Sequence, residues 1–441
     1  MATSNRSTAR KSPTKRSNVA RSKASLKPWQ KLSGTQFALV VLLIVAVGAL
    51  VIWLVRAATL SNTEPEQWSL PGSGVKTVAV NDTNVGSYIE FTAPVTTTTT
   101  TTTVNPNNEV LKTSATYPFV KQDGTPVKIN GVNQRNVGSY SAASLCGGNA
   151  ANWAGWKARG FNAVRLAMDW PSFEPTQGTI STTALQRLDD TINTAKSNGL
   201  YVILDPIHLK AVGGNLPSWV TGQNAIQKIQ NNGSFYLKTI AARYKNDPKV
   251  IAIDLVNEPH VNPLPFDQNS NLTMYNTLIN AVRTVDAEKI LMIEPITGDS
   301  SWDGVNWGIL QNKHNLVLSH HSYFAGNDDD GYSASGWGTG DSVSNGTAGY
   351  NASTTYYNQM AAHYDKMVGW SRTSGLPLYL GEYGIGNAAA NRDLWITQNV
   401  TLLNQRNIPR TYWEGCSDGD MNLFINISQT FRSYTNLLVY P

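Results

Sequence analysis

From about residue 110 onward, short apolar runs alternate with longer amphipathic stretches, and that alternation restricts the fold more than any other feature of the chain. The runs are VKIN (127–130), NAVRLAM (162–168), YVILD (201–205), VIAIDLV (250–256), ILMIE (290–294), LVLSHH (316–321), LYLGEY (378–383) and RTYWE (410–414). Most lack a strict apolar–polar alternation, as strands buried on both faces do. Between them lie stretches such as TALQRLDDTINTAKSNG (183–199), whose apolar residues recur at three and four and which closes on glycine. That is a helix with its C-terminal stop. Strand and helix repeated eight times predict an α/β fold, a (β/α)₈ TIM barrel over residues 105–441. A doubly wound sheet would need a glycine-rich phosphate loop after its first strand, and none is present.

The residues before the barrel read differently. Of the 35 basic residues, nine lie in the first 31 positions, which leaves 26 against 30 acidic residues, about −4 for the rest. The basic character therefore belongs to a tail, 1–36, expected to be disordered and cytoplasmic, and no nucleic-acid partner is expected. Residues 37–55, FALVVLLIVAVGALVIWLV, carry no charge. At about 1.5 Å per residue such a run just spans a hydrocarbon core. With the positive charge almost all on its N-terminal side, it predicts a single-pass anchor with an extracytoplasmic C-terminal part. A cleaved signal peptide is the alternative, although its apolar region is usually shorter. Either way the large C-terminal part is exported. Residues 56–104 read as a stalk and linker ending in eight consecutive threonines, 96–103. The runs VKTVAV (75–80) and SYIEF (87–91) are too few to build a core. They faintly resemble the end of a carbohydrate-binding β-sandwich module.

Two of the strand runs end in a carboxylate at the mouth of such a barrel: Glu258 in VNEPH and Glu382 in LGEYG. The other strand ends supply Arg165, His208, Asn257, Glu294, His321, Tyr323 and Trp413. Any one of these alone reads more simply as a solvated loop residue or a locally bonded strand end. Their concentration at one end of one barrel is what points to a site.

At this point the chain from about residue 110 to its C-terminus resembles glycoside hydrolase family 5, cellulases and β-mannanases of the retaining (β/α)₈ clan. The matching pieces are VRLAMDWPSFEPTQG around Arg165, YVILDPIH, DLVNEP, the His321-x-Tyr323 pair, GEYG and the Trp413 strand. The resemblance implies that Glu382 is the nucleophile and Glu258 the acid and base. Arg165 and the Tyr323 hydroxyl would keep the nucleophile ionised. The acid must keep a proton, which the neighbouring carboxylate's charge favours. Asn257 would meet the sugar's 2-hydroxyl, His208 and His321 would line the subsite, and Trp413 would form its floor. The family pattern commonly has Asp-x-His after the third strand. Here Asp205-Pro206-Ile207-His208 is one residue longer, which displaces His208 from the pattern.

Other residues take lesser roles. Asp254 reads as a buried hydrogen-bonding group two layers below Glu258, and Glu294 as a supporting or plain strand-end residue. Loop tryptophans Trp170, Trp219, Trp302, Trp307 and Trp337 are split between core and sugar stacking, with Trp302 assigned to stacking. Cys146 and Cys416 follow the first and eighth strands, which barrel closure makes neighbours, so they are expected to pair. The six histidines show no metal-ligand spacing, no G-x-S-x-G elbow occurs, and the acidic run 328–330 lacks the full calcium-loop pattern. No metal or cofactor is expected. The chain reads as a monomeric, membrane-tethered, endo-acting retaining glycosidase on β-linked glucan or mannan. The alternatives are an exo-acting glucosidase or transglycosylase of the same fold, and a non-catalytic carbohydrate-binding adhesin.

Overall fold

A computed structural model describes residues 109–139, 150–209, 216–259, 268–296, 301–323, 350, 353–416, 421–424 and 430–439. All fall in the unit Thr102–Pro441. The tail, the apolar run 37–55, the linker, Cys146, Trp337 and the acidic run 328–330 lie outside the described residues. Among the described residues no helix is long and apolar enough to cross a membrane.

Eight parallel strands close into a barrel in sequence order: β1 (Asn130–Val137), β2 (Ala163–Met168), β3 (Tyr201–Asp205), β4 (Val250–Asp254), β5 (Ile290–Ile293), β6 (Leu316–Ser322), β7 (Leu378–Tyr383) and β8 (Arg410–Tyr412). Closure is made by β1 against β8, with Gly131 opposite Thr411. Seven strands coincide with the apolar runs to within two residues. The exception is β1, which begins where VKIN ends and runs through NGVNQRNV. This strand escapes an apolar reading because its inward position, Asn133, is polar. Its amide donates to the carbonyl of Gly381 at 2.9 Å and its Oδ1 accepts from Arg165 at 3.1 Å.

Helices Ala150–Ala158, Thr182–Ser197, Ala225–Tyr244, Gln268–Arg283, Thr354–Ser374 and Arg392–Gln405 are the longer ones among the described residues. In Thr182–Ser197 the Ser181 side chain caps the first turn by accepting from the Ala184 N–H, and Gly199 leaves the helix at φ 72°. Leu188, Ile192 and Ala195 share one face and are buried against the strands.

Two apolar cores result. One lies between strands and helices; the other fills the lower barrel with Ala163, Ile203, Ala252, Ile290, Met292, Val317 and Tyr379. Residues 109–126 fold back on themselves through antiparallel bridges of Lys112 with Val120 and Val120 with Pro126. They insert Leu111 and Phe119 into the lower core, with the Phe119 ring edge-on to Tyr379 at 5.8 Å. With the N-terminal mouth sealed by hydrocarbon, polar side chains are left to the other end.

Candidate active site

Arg165, in β2, is fully buried among four carboxylates. It lies 3.2 Å from Asp205, 3.0 Å from Asp254, 3.1 Å from Glu294 and 3.0 Å from Glu382. It also donates to Asn257 Oδ1 at 2.9 Å. Strand register explains the convergence, because β2 pairs with β3 so that Ala167 faces Asp205, and the next strand ends on Asp254. Burial disfavours the guanidinium's charge, but the four acids outweigh it and hold its pKa well above the ordinary value. Burial and the charge of Glu294 push the Asp254 carboxyl well up despite Arg165.

Above this layer stand the two glutamates. Glu382 is buried at the end of β7, with Arg165 Nη1 donating to Oε1 at 3.0 Å and the Tyr323 hydroxyl to Oε2 at 2.7 Å. Burial pushes its carboxyl above the ordinary value, while His321 and Arg165 pull it down. Glu258 follows β4 with its backbone in the left-handed region at φ 44°, uncommon for a residue with a Cβ. Its Oε1 lies 2.9 Å from His321 Nδ1, and its N–H donates to Glu294 Oε2 at 2.7 Å. One oxygen of Glu258, one of Glu382 and a His321 ring nitrogen all lie within 4.8 Å of one another. Three such donors invite comparison with a cation site, but a metal there would sit beside the Arg165 guanidinium and an imidazole whose pKa is raised well above its ordinary value. That local positive charge opposes a metal ion.

His208 follows β3. Its Nδ1 is 2.7 Å from Asp205 Oδ2, and its ring stacks on Trp413 with centroids 5.5 Å apart and planes 12° from parallel. Burial lowers the His208 pKa, but Asp205 outweighs burial and raises it. The extra residue in Asp205-Pro206-Ile207-His208 is absorbed by extending the ladder past the strand ends, where His208 pairs with Asn257. Asn257 is buried, its Oδ1 on Arg165 and its Nδ2 donating to the Leu209 carbonyl at 3.1 Å. The residues named from sequence at this end, Arg165, His208, Asn257, Glu258, His321, Tyr323, Glu382 and Trp413, thus form one connected cluster.

Trp302 requires correction. It is 2% exposed and packs against Trp307 in the core, so it presents no face to a sugar. A tryptophan after a strand tells nothing of which way the following segment turns. Trp170 is likewise buried, and Trp219 and Trp307 are partly buried against the same core. Cys416 is disulfide-bonded, while Cys146 lies outside the described residues. Sequence reading underrated Asp205, Asn133 and Glu294. Asp205 and Glu294 ended their runs in plain sight, and what they lacked was any sign that a single arginine joined them.

A closed (β/α)₈ barrel with paired carboxylates at the ends of β4 and β7, braced by an arginine and two histidines, defines the architecture of a barrel glycoside hydrolase. The chain belongs to the cellulase family, glycosyl hydrolase family 5, whose family model matches residues 120–419. It is similar to the major extracellular endoglucanase of Xanthomonas campestris pv. campestris, 29% identical over 217 residues, covering 43% of this chain and 42% of that one. An endoglucanase of Paenibacillus polymyxa is 24% identical over 288 residues, 58% of this chain and 66% of its own. The chain thus spans less than two thirds of either relative. The solved structure of Thermotoga maritima Cel5A in complex with mannotriose superposes with a TM-score of 0.55 at 19% identity, covering 71% of this chain and 98% of that one, a likeness of fold.

Proposed function

We propose that the chain hydrolyses β-linked glucan or mannan internally, with retention of anomeric configuration, through Glu382 as nucleophile and Glu258 as acid and base. The observation that carries this reading is the approach of the two carboxylates to within 4.8 Å. That supports the retaining geometry, carboxyl groups roughly 5–5.5 Å apart, over the inverting one, in which they stand roughly 6.5–9.5 Å apart around a water.

In the first step a Glu382 oxygen attacks the anomeric carbon while Glu258 gives its proton to the departing glycosidic oxygen. The carbon–oxygen bond to the leaving sugar breaks as the ester to Glu382 forms. In the second step Glu258 takes a proton from water, the hydroxide opens the ester, and both carboxyl groups return to their starting states. Tyr323 and Arg165 hold Glu382 by one donor on each oxygen, which aims it. Asn257 retains a second amide N–H, beyond the one given to Leu209, for the sugar's 2-hydroxyl. The Trp413 face, backed by His208, suits the apolar face of a pyranose. Export and membrane tethering belong to the same proposal and rest on residues 1–55.

The test is reducing-sugar release from cellulose derivatives, β-mannan, xyloglucan and β-1,3-glucan, with the fresh product's anomer read by proton NMR. The expected result is release from one of these polymers as the β-anomer, lost by about 10³-fold or more in Glu382→Gln. An α-anomer would overturn the retaining assignment. No release, with binding intact, would favour the adhesin or transglycosylase reading.

A further inference from the structure

Glu294 follows β5 directly and touches the supports of both glutamates. Its Oε1 takes Arg165 Nη2 at 3.1 Å, the same guanidinium that holds Glu382. The same oxygen lies 3.1 Å from His321 Nε2, close enough for an ion pair. Its Oε2 accepts the N–H of Glu258, where the backbone is left-handed. The backbone of Glu294 is itself anchored. The Glu294 N–H donates to the Tyr275 hydroxyl at 3.0 Å, and its carbonyl accepts from Asn271 at 2.9 Å, both residues of the helix Gln268–Arg283.

His321 therefore has a carboxylate oxygen at each ring nitrogen: Glu258 Oε1 at 2.9 Å from Nδ1, with Glu382 Oε2 at 3.6 Å, and Glu294 Oε1 near Nε2. A neutral imidazole carries a single N–H, so one of its nitrogens would point a lone pair at an anionic oxygen. With Glu258 ionised, only the imidazolium suits both sides.

We propose that Glu294 is a positioning residue for the acid: its buried carboxylate holds His321 as an imidazolium against Glu258 and clamps the left-handed backbone of Glu258. This rests on Glu258 being the acid and base. The groups facing the imidazole are Glu294 from β5, Glu258 and Asp254 from β4 and its end, Glu382 from β7, and Arg165 from β2. Burial opposes the ring's charge, but the acids, Glu294 foremost, outweigh it. Reciprocally, His321 and Arg165 overcome burial and hold the Glu294 carboxyl down at about 2. A charge within about 4–6 Å shifts such a titration by about 1–3 pH units.

The experiment is a ¹⁵N-histidine NMR titration of the full chain, with His321 assigned by its loss in His321→Asn, run for wild type, Glu294→Gln and Glu294→Asp beside the pH dependence of kcat/KM. Wild type is expected to show His321 as imidazolium through pH 8. Glu294→Gln should lower its titration by about 1–3 pH units and carry the alkaline limb of kcat/KM down with it, whereas Glu294→Asp keeps the charge and restores both. A neutral His321 at pH 7 in wild type overturns the proposal, as does a titration unmoved in Glu294→Gln. Should Glu294→Gln fail to fold, the wild-type titration decides. The ring is read without turnover, so a chain that lacks glycosidase activity yet shows the imidazolium would sink the functional reading and not the charge placement.

Discussion

A single side chain explains much of the site's rigidity. Arg165 spends its five N–H donors on Glu382, Glu294, Asp254, Asn133 and Asn257, residues that come from β1, β4, β5 and β7 or their ends. A lysine has the charge but only a compact ammonium, unable to span that ring of acceptors. Arg165→Lys is expected to lose about 3–5 kcal/mol of unfolding free energy, because it leaves buried carboxylates without partners. Denaturant unfolding monitored by tryptophan fluorescence would show it, and an unchanged midpoint would mean that water replaces the guanidinium. The carboxylates at 258 and 382 were legible from strand ends alone. The convergence of four other strands on Arg165 was not, because no local pattern encodes contacts across a closed sheet.

Elements meet the site through close approach as much as through side chains. In β7, Gly381 lies against β6, and a Cβ there would fall 2.8 Å from Ser319 Oγ and 3.0 Å from His321 Nε2. Gly381→Ala is expected to displace the His321 ring, lowering kcat and costing about 1–3 kcal/mol of stability as an overpacked core position does. Thermal unfolding and steady-state kinetics on one preparation would test this; wild-type values in both would show that Ser319 and His321 yield at no cost. Strand positions were readable wherever both faces are apolar. The strand β1 was misplaced upstream because its buried polar residues bond across the barrel rather than contact hydrocarbon, and the segment 109–126 gave no sign that it plugs the barrel floor.

Across the whole molecule the barrel separates an apolar floor from a charged upper layer, and the helices around it hide other titratable groups. His363, in the helix Thr354–Ser374, is buried with Nε2 2.9 Å from Ser322 Oγ. Burial, with His320 and Lys366 adding to it, lowers its pKa to about 3. Below about pH 6.5 the unfolded chain takes up a proton at this position that the folded chain refuses until about pH 3, so stability falls as pH falls through that window. His363→Gln is therefore expected to flatten the acid limb of stability by at most about 1.4 kcal/mol per pH unit. Unfolding curves between pH 6 and 4 for the variant and wild type would check this, and parallel limbs would contradict it. Glu294 acts in the same sense over a lower range. Its carboxyl, held at about 2 against an ordinary 4.5, contributes stability that is lost as pH falls from the second value toward the first.

The sequence by itself determined the number of strands, the barrel, the identity of the two carboxylates and most of their neighbours. Those follow from local signals, buried strand composition and residues at strand ends, which the chain carries whatever it packs against. Only the tertiary structure decided which acid answers which base, that Glu294 links both glutamates, that Trp302 turns into the core and that Asp254 lies beneath Arg165. These depend on how eight strands align around a closed ring, where residues more than a hundred positions apart come within 3 Å and the low-dielectric interior makes their charges inseparable.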